Sequence, residues 1–288
     1  MRILLTGADG FLGRHLTRTF LAKGWRVDGL VRDPQRKPPP AEAGVRYYHY
    51  GFPADIDSAA FAEPVDVLVH GAFNMKASPT KYGVNREAVE FLQRGKYGRF
   101  LFISSMSAHR AAESLYGREK LYIEGTLDAS RDLAIRPGFI IGDGGVFSNL
   151  VRSIKSLPVI PLFYGGWQPI QTVYVDDLCS AIASGIERGT TGVVSYGEQT
   201  PILLRDFYRA IAKGLGVSRL LLPMPGGLTC AGLRIAESLG VPLPMTSQNL
   251  LGLKHLIKVD VAQDIARLGA VRPRAMAESL ATCNWSML

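Results

Sequence analysis

Arg2-Ile3-Leu4-Leu5-Thr6-Gly7-Ala8-Asp9-Gly10-Phe11-Leu12-Gly13 joins an apolar run to three glycines spaced three apart. The run Ile3-Leu4-Leu5 predicts a strand, Arg2–Thr6, apolar because both of its faces are covered. An amphipathic stretch at about Gly10–Lys23 predicts a helix, and Trp25–Val31 predicts a second strand. Between strand and helix each glycine has a task. Gly7 permits the tight turn, Gly10 lets backbone approach a pyrophosphate with no Cβ between, and Gly13 lets the helix pack close to the sheet. Free N–H groups and a positive dipole at the helix start favour phosphates. The stretch therefore predicts a dinucleotide site made by Gly7, Gly10, Phe11, Leu12 and Gly13.

The same alternation continues outward. Apolar runs at Val45–Tyr50, Val65–His70, Arg99–Ser104 and Asp132–Arg136 read as strands, and Ser78–Arg94 and Ser114–Ser130 as helices. Strands separated by helices imply crossover connections, hence a Rossmann-type, doubly wound parallel α/β sheet. Beyond Pro137 come a turn at Gly142, Gly144 and Gly145, a helix at Val146–Ser156, and a loop from Pro158 through Pro161. A strand at Gln171–Val175, a helix at Asp176–Glu187 and a strand at Val193–Tyr196 follow. From Pro201 the chain reads mainly helical. We expect a nucleotide-binding domain over residues 1–197 and a smaller, mainly helical substrate region over 198–288, with 138–170 contributing. Lys37-Pro38-Pro39-Pro40 reads as an exposed connector.

Tyr116-Gly117-Arg118-Glu119-Lys120 places a phenol and an ammonium at i and i+4, on one helix face. A nearby ammonium favours the phenolate and would lower a pKa that starts near 10. Tyr116 could then exchange a proton with a substrate hydroxyl or carbonyl, and Lys120 could hold the nicotinamide ribose. Upstream, Phe102-Ile103-Ser104-Ser105-Met106-Ser107 ends a strand in hydroxyls.

With Thr6 before it, the glycine turn resembles that of the short-chain dehydrogenase/reductase superfamily. The likeness is to its extended and atypical branches, which include the sugar-nucleotide epimerases and dehydratases. Asp66-Val67-Leu68-Val69-His70-Gly71-Ala72, Tyr82-Gly83-Val84-Asn85, Ile135-Arg136-Pro137-Gly138 and Val173-Tyr174-Val175-Asp176-Asp177-Leu178 resemble that family's later motifs, in its order. The resemblance implies that Ser105 positions the reacting oxygen, with Ser107 as the alternative, beside Tyr116 as acid/base and Lys120. It also implies cofactor contacts at Gly71, Ala72, Asn85, Ser104 and Pro137. At the second strand end, where NAD-binding members carry an acid, the chain reads Leu30-Val31-Arg32-Asp33. Arg32 offers a planar clamp for a 2′-phosphate, so NADP is expected over NAD. Asp33 dissents, either contacting ribose or capping a turn. Arg14 assists a phosphate or merely lies on an exposed helix face.

The pattern also departs from the family. Only ten residues separate Ser105 from Tyr116, Ala108-His109-Arg110 stands where epimerases often have Val-Tyr-Gly, and Gly51-Phe52 replaces a Gly-Asp. The short C-terminal region lacks a uridine-binding signature. His109 reads as a loop histidine.

At 47% hydrophobic and 20% charged residues, the composition is that of a globular chain. The N-terminal apolar run is too short for a secretory core, and no 18-residue uncharged stretch could span a membrane. Leu220–Leu233 reads as a loop plus a buried helix, with membrane-surface contact as its alternative. Cys179, Cys230 and Cys283 show neither pairing nor metal spacing, so a reducing cytoplasm is expected and no metal. The net charge of +8 is scattered, which points to a phosphate-bearing ligand rather than nucleic acid. The expected function is an NAD(P)-dependent oxidoreductase or epimerase acting on a small molecule, a nucleotide-sugar among the candidates. The alternative is a non-catalytic NADP-binding structural or sensor protein. A homodimer through Ser78–Arg94 and Ser114–Ser130 is compatible with the resemblance.

Overall fold

The computed structural model describes residues 1–34, 44–74, 83–239 and 246–286. The first half contains β1 (Arg2–Thr6), α1 (Phe11–Ala22), β2 (Arg26–Val31), β3 (Val45–Gly51), β4 (Asp55–Ile56), β5 (Val65–His70), α2 (Val84–Gln93), β6 (Tyr97–Ile103) and α3 (Leu115–Glu124). Then come β7 (Leu133–Pro137), β8 (Phe139–Ile141), α4 (Gly145–Ser156), β9 (Val159–Phe163), β10 (Pro169–Ile170), β11 (Thr172–Tyr174), α5 (Val175–Glu187) and β12 (Gly192–Tyr196). The chain closes with β13 (Ile202–Leu203), α6 (Leu204–Gly214), β14 (Leu220–Met224), α7 (Gly226–Ser238), α8 (Ser247–Lys254), α9 (Ala262–Leu268) and α10 (Met276–Thr282). The connector at Lys37–Pro40 lies outside the described residues, as does the start of the expected helix at Ser78.

An eight-stranded sheet runs in the order β12-β7-β6-β5-β1-β2-β3-β4, parallel except for β4. This is the doubly wound α/β sheet read from the sequence. Its strands are apolar throughout because successive side chains enter different cores. Ile3, Leu5, Val67, Val69, Leu101 and Ile103 pack with Leu16 and Phe20 of α1 and Leu178 and Ile182 of α5. Leu4, Leu68, Phe100 and Phe102 pack with Val89 and Leu92 of α2 and Ile123 of α3. The chain leaves β1 toward β2 on one side, while β5 pairs on the other. That reversal opens a crevice at the carboxyl ends of β1 and β5.

Three local expectations are corrected. The helix expected over Ser114–Ser130 stops at Glu124. Gly125 caps it, and Asp128 then accepts hydrogen bonds from the Ser130 N–H (3.0 Å) and hydroxyl (2.6 Å). Such a local turn competes with further helix. The stretch read as a loop after Pro158 is β9, and part of the supposedly helical end is β14. The two form a parallel ribbon with Val159 opposite Leu220. Finally, α7 is not a buried helix: Ile235 is 62% exposed. Among the described residues no helix is long and apolar enough to cross a membrane.

A third core joins Phe147 and Val151 of α4, Phe207 and Ile211 of α6, and Leu280 of α10. It sets these later elements over the strand ends.

Candidate active site

The glycine turn is held by its own backbone. Gly7, at φ +70°, donates its N–H to Leu30 O (3.0 Å), and Gly10 N–H donates to Gly7 O (2.9 Å). A Cβ on Gly13 would lie 2.1 Å from Gly7 O and 2.8 Å from Ala8 Cα. Gly13 is thus needed where α1 presses on the turn that starts it, a closer contact than the sheet packing expected. Gly10 caps α1 with no side chain, and no acid lies in the first turn. The first N–H groups and the positive dipole end remain available to an anion. These features fit a dinucleotide pyrophosphate.

Thr6 clamps the crevice from below. Its hydroxyl accepts from Gly71 N–H and Ala72 N–H, both at 3.1 Å, and stands 2.8 Å from His70 Nδ1. With two donors already on the oxygen, the hydroxyl proton goes to Nδ1. His70 therefore carries its own proton on Nε2, and burial holds its pKa down to about 3. Gly71 and Ala72 thereby sit back to back with the glycine turn, since a Cβ on Gly7 would lie 3.2 Å from Ala72 Cα. Sequence reading missed this clamp, although a Thr ending a buried strand is a signal for it.

Arg32 lies two residues beyond Leu30, the strand partner of Thr6. It is exposed, with no hydrogen bond or ion pair among the described residues. Arg14 donates to Asp9 O (2.9 Å).

The catalytic candidates converge on α3. Ser114 caps that helix by accepting from Gly117 N–H (3.2 Å). A Cβ on Gly117 would lie 2.4 Å from Ser107 O, so only glycine lets this turn of helix meet the serine loop. The contact sets Ser105 and Tyr116 on the same cavity wall, where Ser105 acts on the phenol electrostatically. Ser105 Oγ accepts from Ser107 N–H (3.1 Å). Lys120, 4% exposed, donates to Ile103 O (2.6 Å) and lies over the rings of Phe73 (4.0 Å), Phe102 (4.5 Å) and Tyr116 (5.7 Å).

The electrostatics correct one expectation. Burial pushes the Tyr116 phenol up, and the Ser105 side chain only partly opposes it. Burial also pulls Lys120 down to about 7 against the attraction of Glu124 and Glu119. In an apolar wall desolvation dominates, so both groups shift toward their neutral forms.

Two of the residues expected at the cofactor, Ser104 and Asn85, also brace the wall, and Ser104 borders the cavity. Ser104 hydrogen-bonds Glu124, which is also paired with Arg136 (Nε to Oε1, 2.8 Å). The Ser104 hydroxyl is thus taken up by Glu124. Asn85, fully buried, accepts from Asn74 N–H (2.8 Å) and donates to Glu119 (2.9 Å). Its amide ties the segment after β5 to α3. His109 donates from Nε2 to His255 O (2.9 Å), in keeping with a loop role.

Ser105, Tyr116, Lys120, Phe11, Leu12, Gly71 and Pro137 all border one cavity of about 570 Å³. Phe11 is fixed there by the loop before α4, where Cβ atoms on Gly142, Gly144 or Gly145 would meet its ring at 3.0 Å or less. Among the described residues no His, Cys, Asp and Glu cluster could hold a metal.

Comparisons with known proteins agree with this geometry. The model of the NAD dependent epimerase/dehydratase family matches residues 3–195. The chain is 30% identical over 254 residues to a protein of Caulobacter vibrioides named ceramide reductase, covering 80% of this chain and 76% of that one. In fold it resembles a UDP-glucuronic acid 4-epimerase from Bacillus cereus solved with NAD, at TM-score 0.71 and 17% identity over 100% of this chain and 96% of that one. It likewise resembles the human epimerase family protein SDR39U1 solved with NADPH, at TM-score 0.71 and 16% identity over 97% and 98%. This chain belongs to the NAD-dependent epimerase/dehydratase family, within the extended short-chain dehydrogenase/reductases.

Proposed function

We propose that this protein is an NADP-dependent reductase that moves hydride between the cofactor and a carbon bearing a carbonyl or hydroxyl. The observation that carries the reading is Tyr116, Ser105 and Lys120 together on the one cavity bordered by the start of α1. The nicotinamide, when bound, supplies the hydride. Tyr116 donates its proton to the substrate oxygen, and the Ser105 hydroxyl donates a hydrogen bond to that oxygen. Lys120 holds the wall and, in its charged form, steadies the phenolate left behind. The glycine turn and α1 hold the pyrophosphate, and Arg32 meets a 2′-phosphate.

The reductase outcome is favoured over epimerisation by the name of the Caulobacter relative and by the apolar lining around Tyr116. The presence of both Tyr116 and Lys120 in one cluster argues against a purely structural role. The test is NADPH oxidation driven by a panel of carbonyl compounds. Tyr116→Phe should lower turnover about 10²–10⁴-fold while NADPH affinity persists. Undiminished turnover in that variant would remove Tyr116 as the acid.

A further inference from the structure

Beyond the three catalytic side chains, the cavity wall is made by Phe139 of β8, Val146 and Leu150 of α4, Phe207 of α6, and Leu253 and Ile257 at the end of α8 and just after it. Val146 is 58% and Ile257 43% exposed, so the apolar wall continues to the rim and leaves an open end. Among the described lining residues Lys120 is the sole charged side chain, and it is committed to Ile103 O. The amide of Gln171 is committed too. It donates to Glu198 O (2.8 Å) and Val259 O (2.9 Å) and accepts from Val259 N–H (2.7 Å). A nucleotide diphosphate would therefore bring two phosphates against carbon, with no free cation among the described lining residues to replace their water. An alkyl chain matches the same wall. Away from the serine loop, a further polar atom of the wall is uncommitted. The Tyr208 hydroxyl on α6 has no hydrogen-bond partner among the described residues, and burial keeps it protonated, with its pKa pushed up to about 12.

We propose that the cavity takes a substrate with a long apolar chain rather than a nucleotide-sugar, and that Tyr208 determines specificity by hydrogen-bonding a second polar group carried near that chain. The proposal rests on the hydride-transfer reading of Ser105, Tyr116 and Lys120. It adds the class of molecule on which that chemistry acts.

The test uses NADP⁺-loaded protein titrated calorimetrically with straight-chain 2-alkanols of four to twelve carbons, with UDP-glucose in parallel. Affinity is expected to rise about fourfold per methylene until the cavity is filled, and UDP-glucose to bind more weakly than the longest alkanol. A flat alkanol series, or UDP-glucose binding tighter than every alkanol, overturns the substrate class. Diols with the second hydroxyl at successive positions then probe Tyr208. Tyr208→Phe should weaken the best diol about tenfold and the 2-alkanol of equal length by less than twofold. Equal losses for both overturn the specificity role. NADPH-dependent reduction of the matching 2-alkanones, compared with Tyr116→Phe, reads the chemistry separately. A rising affinity series without Tyr116-dependent turnover supports the chain-binding cavity and overturns the hydride-transfer reading alone.

Discussion

Lys120 is expected to make the protein more stable as pH rises above neutrality. Burial among Phe73, Phe102 and Tyr116 takes its pKa from 10.5 to about 7. Below pH 7 the proton is bound in both folded and unfolded chains, and the folded state bears the full penalty of a buried charge. That penalty is about 5 kcal/mol for a pKa displaced this far. Between pH 7 and 10.5 the folded chain has released the proton while the unfolded chain keeps it. The unfolded state then binds more protons, so stability climbs with pH, by about 2 kcal/mol between pH 7 and pH 9. Lys120→Met keeps the stem and removes the titration. It also leaves Ile103 O without its donor, at about 1–3 kcal/mol. The variant is therefore expected to exceed wild type by about 2 kcal/mol at pH 7 and to match it near pH 9. Urea unfolding of cofactor-free protein at both pH values measures this. Other titrating groups cancel in the difference between the two proteins. A difference that does not change between pH 7 and pH 9 would refute the argument.

Gly13→Ala places a methyl 2.1 Å from Gly7 O. It should destabilise the fold by about 1–3 kcal/mol, read by thermal unfolding, and weaken NADPH in a fluorescence titration. Full NADPH affinity in that variant would detach the turn from the cofactor. Arg32→Ala should lower NADPH affinity about tenfold or more and leave NADH unchanged. Equal changes in both would deny Arg32 the 2′-phosphate. Glu124→Gln uncovers the partly buried Arg136 and should cost about 3 kcal/mol in urea unfolding. Wild-type stability would show the pair to be energetically idle.

The parts of this molecule legible in sequence are those whose signal is local. The β1 turn places strand, glycines and helix within one short stretch, and the parallel character of the sheet follows from alternating apolar runs. Tyr116 and Lys120 were legible because helix geometry alone puts i and i+4 together. Other features depend on residues far apart along the chain. The strands β9 and β14 read as loop because each gains its ladder only from the other, and because Pro161 and Pro223 argue against strand. Gly117 looks like a spacer between Tyr116 and Lys120 until Ser107 O is found 2.4 Å from where its Cβ would be. Ser104 and Ser105 are equivalent as letters. The structure gives the Ser104 hydroxyl to Glu124 and sets Ser105 on the cavity wall with Tyr116.

The same burial that makes the cavity apolar bears on the direction of the chemistry. A tyrosine beside a fully charged lysine would be a ready base, suited to removing a proton from an alcohol. Here the phenol is pushed up and the ammonium down, so near neutral pH the pair tends toward phenol and amine. Phenol is the form that donates a proton to a carbonyl oxygen as hydride arrives. Oxidation of an alcohol needs the phenolate, which becomes accessible only at higher pH, where Lys120 has lost the charge that would stabilise it. On the proposed reading, the apolar wall that would suit an alkyl chain also keeps Tyr116 in the proton-donating form, and both follow from setting α3 and the serine loop under carbon rather than water.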